Sequence, residues 1–149
     1  MIYRYALSYL ETWKKNPMRK PLILRGARQV GKTTLVENFA TEFDCFLKLN
    51  LDEEEDRLLF TRYKEIHRLI EAIFFHLQKN PTEGSTLLFI DEIQNSPEAV
   101  AILRYFHEKR PDIYVIAAGS LLENVIDRKI SFPVGRVEYM ALHPCSFLE

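Results

Sequence analysis

The chain has 149 residues, of which 47% are hydrophobic and 28% are charged, and its formal net charge is −1. This length predicts a single domain with a buried core, and the composition excludes a disordered or fibrous chain. A net charge near zero gives no global argument for nucleic-acid binding. The short basic pairs Arg19-Lys20 and Arg128-Lys129 are typical of solvated surface, so a nucleic-acid partner stays an alternative without support.

Location and redox state follow from what the sequence lacks. It contains no apolar run of about 18 residues, which a membrane-spanning helix requires, and its N-terminus does not resemble a signal peptide. We therefore expect a cytoplasmic protein. The two cysteines, Cys45 and Cys145, lie in apolar stretches, which favours buried, reduced thiols over a disulfide.

The most informative stretch is residues 26–34, GARQVGKTT, which fits the phosphate-binding pattern G-x-x-x-x-G-K-[ST]. Glycines let the backbone approach a polyphosphate, and the loop N–H groups form an anion nest at the start of a helix. Lys32 can reach the β- and γ-phosphates, and the Thr33 hydroxyl can bind Mg²⁺. The predicted nucleotide-binding residues are Gly26, Ala27, Arg28, Gln29, Val30, Gly31, Lys32, Thr33 and Thr34.

Predicted helices and strands alternate in the first half of the chain. In order they are a helix over Ile2–Lys15, a strand over 21–25, a helix over 34–43, a strand over 45–51 and a helix over 63–79. Tyr5, Tyr9 and Trp13 recur at steps of four in the first helix, with Ala6 and Leu10 beside them. Asp52 is expected to cap a helix that starts in the acidic run 52–56; we prefer this to a metal site, because no ligand spacing supports one.

A third strand is predicted over 86–90, and it ends at Asp91-Glu92. Its continuous apolar run is typical of a strand buried on both faces of a parallel sheet. Ligands bind at the carboxyl edge of such sheets, so Asp91 can hold Mg²⁺ and Glu92 can act as a general base on water. The alternative is that the pair simply precedes the next helix, over 97–109, which Ser96 caps and Pro97 begins.

The fourth strand is predicted over 113–118 and closes at Gly119-Ser120. A polar residue here would lie between the phosphate loop and Glu92, so Ser120 could sense hydrolysis or orient the water. Ser120 and Glu123 also match a capping box for a short helix over 120–126, and the two roles can hold together. A loop over 127–135 and a fifth strand over 136–142 follow.

The predicted fold is α/β: a three-layer α/β/α sandwich around a five-stranded, mostly parallel sheet. The apolar third and fourth strands belong at the centre of the sheet with the phosphate-loop strand, and the mixed second and fifth strands belong at or near the edges. With right-handed crossovers these constraints give the order 5-1-4-3-2.

The segments RGARQVGKTTL, LLFIDEIQ, AAGSLLE and FPVGRVEYMALHPCSFLE together resemble the AAA-like P-loop ATPases. The likeness is greatest to a prokaryotic family whose N-terminal ATPase domain precedes a C-terminal domain of unknown function. It implies that residues 1–149 are the ATPase domain, with the C-terminal domain missing, and that ATP and Mg²⁺ are the ligands. It also makes Ser120 similar to a sensor and Arg136 similar to an arginine finger or sensor, with Arg128 as the alternative.

The resulting hypothesis is Mg²⁺-dependent ATP hydrolysis coupled to conformational change in a larger protein or assembly. Its expected catalytic residues are Glu92, Lys32, Arg136 and Ser120, with Thr33 and Asp91 on the metal. A homo-oligomer, or a protein partner bound through the missing domain, is the expected context. Two alternatives stay open: a nucleotide-gated switch with little turnover, and a P-loop kinase. A GTPase is disfavoured because no Asn-Lys-x-Asp motif occurs.

Overall fold

The computed structural model describes residues 2–26, 31–81, 83–119 and 135–142. The helices are α1 (Ile2–Lys15), α2 (Lys32–Phe39), α3 (Glu54–Arg62), α4 (Ile66–His76) and α5 (Pro97–Lys109). The strands are β1 (Leu22–Arg25), β2 (Cys45–Asn50), β3 (Thr86–Asp91), β4 (Ile113–Gly119) and β5 (Glu138–Ala141). Two short 3₁₀ turns, Ala40–Glu42 and Ile93–Asn95, complete the described elements.

The five strands form one sheet in the order β2-β3-β4-β1-β5, and every neighbouring pair is parallel. This confirms the predicted order 5-1-4-3-2, read from the other edge, and the placing of the second and fifth strands at the edges. In a parallel sheet all carboxyl ends lie at one edge. The register therefore places Arg25 beside Gly119, and Asn50 beside Asp91.

Each face of the sheet is covered by its own apolar layer. Successive side chains of β3 alternate, so that Leu88 and Ile90 belong to one buried cluster, while Leu87 and Phe89 belong to the other. The first cluster includes residues of α3, α4 and α5, and the second includes residues of α1 and α2. Burial on both sides explains why β3 and β4 are continuously apolar, and it confirms the three-layer sandwich.

Helix α1 occupies its predicted span but buries a different face from the one that its tyrosines suggested. Ala6, Leu10 and Trp13 are buried, whereas Tyr5 is 70% exposed. Residues 6, 10 and 13 share one side of a helix, and that side packs on the sheet beside α2. The tyrosines occupy the adjacent, wetter side.

Two predictions for the acidic and helical stretch after β2 are wrong. Asp52 does not cap α3; Glu53 occupies the N-cap position without a side-chain cap bond, and the Asp52 carboxylate instead accepts a hydrogen bond from Asn95. The helix predicted over 63–79 is the shorter α4, because Glu65 caps its start and Gln78 turns to a left-handed conformation after its end. Helix α2 similarly gives way to a 3₁₀ turn after Phe39.

Several other predictions concern residues outside the described part of the chain. They are the short helix over 120–126, most of the loop over 127–135 with Arg128, and Cys145. Cys45 is buried as predicted, and its burial raises the pKa of the thiol. No helix in residues 2–26, 31–81, 83–119 and 135–142 has the length and apolar character needed to cross a membrane.

The N-cap of α5 yields a stability prediction. The Ser96 hydroxyl accepts a hydrogen bond from the Ala99 amide at 3.0 Å, and Ser96 is buried. Ser96→Ala removes this acceptor, so we expect the free energy of unfolding to fall by about 1 kcal/mol in urea titrations. Ser8→Ala, at an exposed position of α1, is the matched control and should cause no loss. Equal losses in the two variants would contradict the capping role.

Candidate functional site

Several of the predicted site residues that the structure describes lie at the carboxyl edge of the sheet. Gly26 follows β1, Asp91 ends β3, and Gly119 ends β4, which lies between those two strands. Ser120, the next residue, lies outside the described residues, so its predicted role stays a prediction. Ala27, Arg28, Gln29 and Val30 also lie outside them.

Helix α2 begins at the end of the glycine loop. Gly31 precedes it with a φ of 84°, a left-handed conformation that favours glycine, and no side chain caps the helix start. The first backbone N–H groups of a helix have no partner within the helix. Those of Lys32, Thr33 and Thr34 are therefore at the end of α2 where the helix dipole favours an anion.

The Lys32 side chain joins the two ends of the loop. Its Nζ donates a hydrogen bond to the Gly26 carbonyl at 2.7 Å, and the residue is only 7% exposed. Burying an ammonium group is costly unless anionic or polar groups surround it. A polyphosphate held between Gly26 and α2 would supply that surrounding negative charge.

Thr33 and Asp91 meet across the end of β4. The Thr33 hydroxyl donates a hydrogen bond to Asp91 Oδ2 at 2.9 Å, and Asp91 Oδ1 accepts one from the Glu92 amide at 2.9 Å. A hydroxyl and a carboxylate are the hard oxygen ligands that Mg²⁺ prefers. These donors therefore fit a metal ion bound beside the phosphates.

Glu92 adopts a left-handed backbone conformation, with φ 56° and ψ 47°. For a residue with a side chain this costs about 1–3 kcal/mol and persists only when the surroundings enforce it. Its carboxylate Oε1 accepts a hydrogen bond from Gln94 Nε2 at 2.8 Å. The strained turn directs Glu92 away from the course of β3 while keeping it next to Asp91.

Two polar neighbours of this turn were given no role from the sequence. Gln94 holds the Glu92 carboxylate, and Asn95 Nδ2 donates to Asp52 Oδ1 at 2.8 Å. The Leu51 amide in turn donates to the Asp91 carbonyl. Only the short spacing from Glu92 could have drawn attention to Gln94, whereas the contact to Asp52 spans 43 residues and leaves no local pattern.

Arg136 lies near the amino ends of the strands, opposite the carboxyl edge that carries Gly26 and Asp91. It precedes β5, and the first residue of β5, Glu138, pairs with Leu22 at the start of β1. Gly26 lies at the other end of β1, about 13 Å along the strand from Leu22. Arg136 Nε donates to Glu108 Oε2 at 2.7 Å, and this contact lowers the pKa of the Glu108 carboxyl. The fold therefore does not bring Arg136 to Lys32 within one chain.

A family model described as AAA domain matches residues 18–149. Among solved structures, a chain in "Structure of Drosophila ORC bound to DNA" is similar, with a TM-score of 0.61 and 17% sequence identity; the match covers 95% of this chain and 91% of that one. This likeness concerns the fold. No protein with a curated description matches the chain. The family match, the parallel sheet and the glycine loop agree: the chain belongs to the AAA domain family and is an AAA-like P-loop ATPase domain.

Proposed function

We propose that this domain binds ATP with Mg²⁺, hydrolyses the γ-phosphate bond and couples hydrolysis to conformational change in a larger protein or assembly. The observation that carries the proposal is the hydrogen bond between Thr33 and Asp91, with Lys32 beside it. Thr33 and Asp91 are 58 residues apart in the sequence, and they meet at the start of α2, where the helix dipole attracts an anion.

Binding would use the main chain and one cation. The N–H groups of residues 26–34 surround the phosphates, and Lys32 contacts the β- and γ-phosphates. Thr33 and Asp91 hold Mg²⁺, which when bound offsets the charge that develops on the phosphate oxygens.

Hydrolysis would use Glu92 as the general base, which accepts a proton from the attacking water. Glu92 follows Asp91 directly, so the base lies beside the metal site, and its strained backbone is of the kind found at functional positions. Ser120, directly after β4, is proposed to orient the water or sense the γ-phosphate, whether or not it also caps the next helix.

Arg136 can serve as an arginine finger only for a neighbouring copy of the chain, because it is at the opposite edge from its own Lys32. We therefore propose a homo-oligomer in which Arg136 leaves Glu108 and reaches the γ-phosphate of the adjacent subunit. Such a residue stabilises the transition-state charge. Arg128 is the alternative finger.

A nucleic-acid partner is not part of the proposal, although the similar ORC structure contains DNA. Of the two basic pairs in the sequence, Arg128-Lys129 lies outside the described residues, and Arg19 of the other pair is engaged within the domain. Its guanidinium lies 3.5 Å from the Tyr114 ring centroid and donates a hydrogen bond to the Pro111 carbonyl. The hydrogen bond uses one of the N–H donors with which a guanidinium would bind a phosphate.

Replacing the loop lysine should weaken nucleotide binding. Lys32→Ala removes the buried ammonium group, and we expect ATP to bind about 100-fold more weakly, as measured by titration with a fluorescent ATP analogue. Lys48→Ala is the matched control, because Lys48 is exposed on β2 and pairs with Glu37. Unchanged affinity in the Lys32 variant would contradict the assigned phosphate site.

Replacing the base should stop hydrolysis without weakening binding. Glu92→Gln keeps the size of the side chain but cannot accept the proton, so we expect steady-state phosphate release to fall about 100-fold or more, with ATP affinity maintained. Glu71→Gln, exposed on α4, is the control. Equal rates in wild type and the Glu92 variant would remove Glu92 from the mechanism.

The finger can be tested by mixing two inactive variants. Arg136→Ala should lower kcat by about 10³-fold with ATP affinity unchanged. Mixed with Glu92→Gln subunits, it should regain activity, because an interface that joins the site of an Arg136→Ala subunit to the finger of a Glu92→Gln subunit has both residues intact. Arg104→Ala is the control, since Arg104 also faces Glu108, at 4.0 Å. A mixture no faster than its two components would contradict action between subunits.

A further inference from the structure

We propose that Gln94 is a positioning residue for ATP hydrolysis, which sets the orientation of the Glu92 carboxylate through the hydrogen bond from its Nε2 to Glu92 Oε1. This inference rests on the proposed function, because it concerns the group assigned there as the base. The contact is 2.8 Å long and joins residues two positions apart.

The chemistry of the two groups determines which end of the amide faces Glu92. An ionised carboxylate can only accept hydrogen bonds, so the NH₂ group of Gln94 must point toward it. Turning the amide over would place two oxygen acceptors against each other at the same separation. The contact therefore favours one orientation of both side chains.

The other end of the Gln94 amide favours a role other than stabilising the fold. Its Oε1 is buried and has no hydrogen-bond partner in the part of the chain that the structure describes. An unpaired buried acceptor destabilises a protein, and an apolar side chain of similar length would avoid that cost. A polar residue retained at such a place calls for an explanation other than packing, and the bond to Glu92 provides one.

The backbone on both sides of the contact is held firmly. Ile93 is fully buried in the core, the Asn95 amide donates to the Glu92 carbonyl, and the Ser96 amide donates to the Ile93 carbonyl. Asn95 also reaches Asp52 through its side chain. Glu92 stands in a left-handed turn, so rotation of its side chain sets the direction of the carboxylate, and the Gln94 bond is one of the contacts that restrict that rotation.

Gln94→Met in the whole chain tests the inference, since methionine has a similar length but no N–H donor. Small misplacements of a catalytic group cost up to about 100-fold in rate, so we expect kcat to fall about 10-fold or more. KM should stay within about twofold, because the hydrogen bond of Gln94 goes to Glu92 and to none of the nucleotide-binding residues that the structure describes. The melting temperature should not fall, since the unpaired acceptor is removed with the amide. Gln78→Met, on the surface beyond α4, is the matched control.

A double-mutant cycle separates positioning from a general effect on the site. In a Glu92→Gln background the carboxylate is absent, so adding Gln94→Met should change single-turnover phosphate release by less than about twofold. The same fold-loss in both backgrounds would overturn the inference, as would an unchanged kcat in the single variant. Gln94→Ala should reproduce the loss; if only the methionine variant is impaired, its bulk is the cause and the inference fails.

The failure of this inference can be told apart from failure of the proposed function. If Glu92→Gln lowers the rate and Gln94→Met does not, the hydrolytic role of Glu92 stands and only the role of Gln94 is lost. If Glu92→Gln turns over ATP as fast as wild type, the base assignment is wrong and the inference is overturned with it.

Discussion

The hydrogen bond from Thr33 to Asp91 is the contact on which the site depends, and it requires close approach of α2 to the end of β4. Strand β4 lies between β1 and β3, so Thr33 must reach over it to meet Asp91. The end of β4 consists of small residues, Ala117, Ala118 and Gly119, and Ala118 is buried in the same cluster as Leu35 of α2. Small side chains there let the start of α2 lie near both neighbouring strand ends.

Side-chain contacts between neighbouring segments hold the loops around this contact in place. The turn after β3 is held to the segment after β2 by Asn95 and Asp52, and that segment is held to α4 by Asp56. Asp56 Oδ2 accepts a hydrogen bond from the Asn50 amide, and Asp56 Oδ1 lies 2.7 Å from His76 Nε2. The acidic residues near the site thus serve mainly to fix the loop that supports Asp91 and Glu92.

Where sequence reasoning went wrong, a competing contact from a distant part of the chain decided the outcome. Asp52 has the chemistry of a helix cap, but Asn95 occupies its carboxylate, 43 residues away. The tyrosine steps of α1 match a helical period as well as Ala6, Leu10 and Trp13 do, and only the position of the sheet selects between the two faces. The role predicted for Arg136 is not contradicted: the direction of β5 places it at the far edge from its own Lys32, which leaves the finger to act between subunits, as proposed above.

The amino-acid sequence by itself determined the sandwich, the strand order and the glycine loop, because these follow from local signals: apolar runs, helix caps and glycines at fixed spacing. It also identified Lys32, Thr33, Asp91 and Glu92 as candidates. Only the tertiary structure decided which of the candidates meet, that Gln94 holds Glu92, and that Arg136 is remote from its own phosphate loop. The meeting of the candidates and the position of Arg136 depend on strand register and on contacts between distant segments, for which no local pattern in the chain is required. The Gln94 contact spans only two residues, but it depends on the left-handed turn at Glu92.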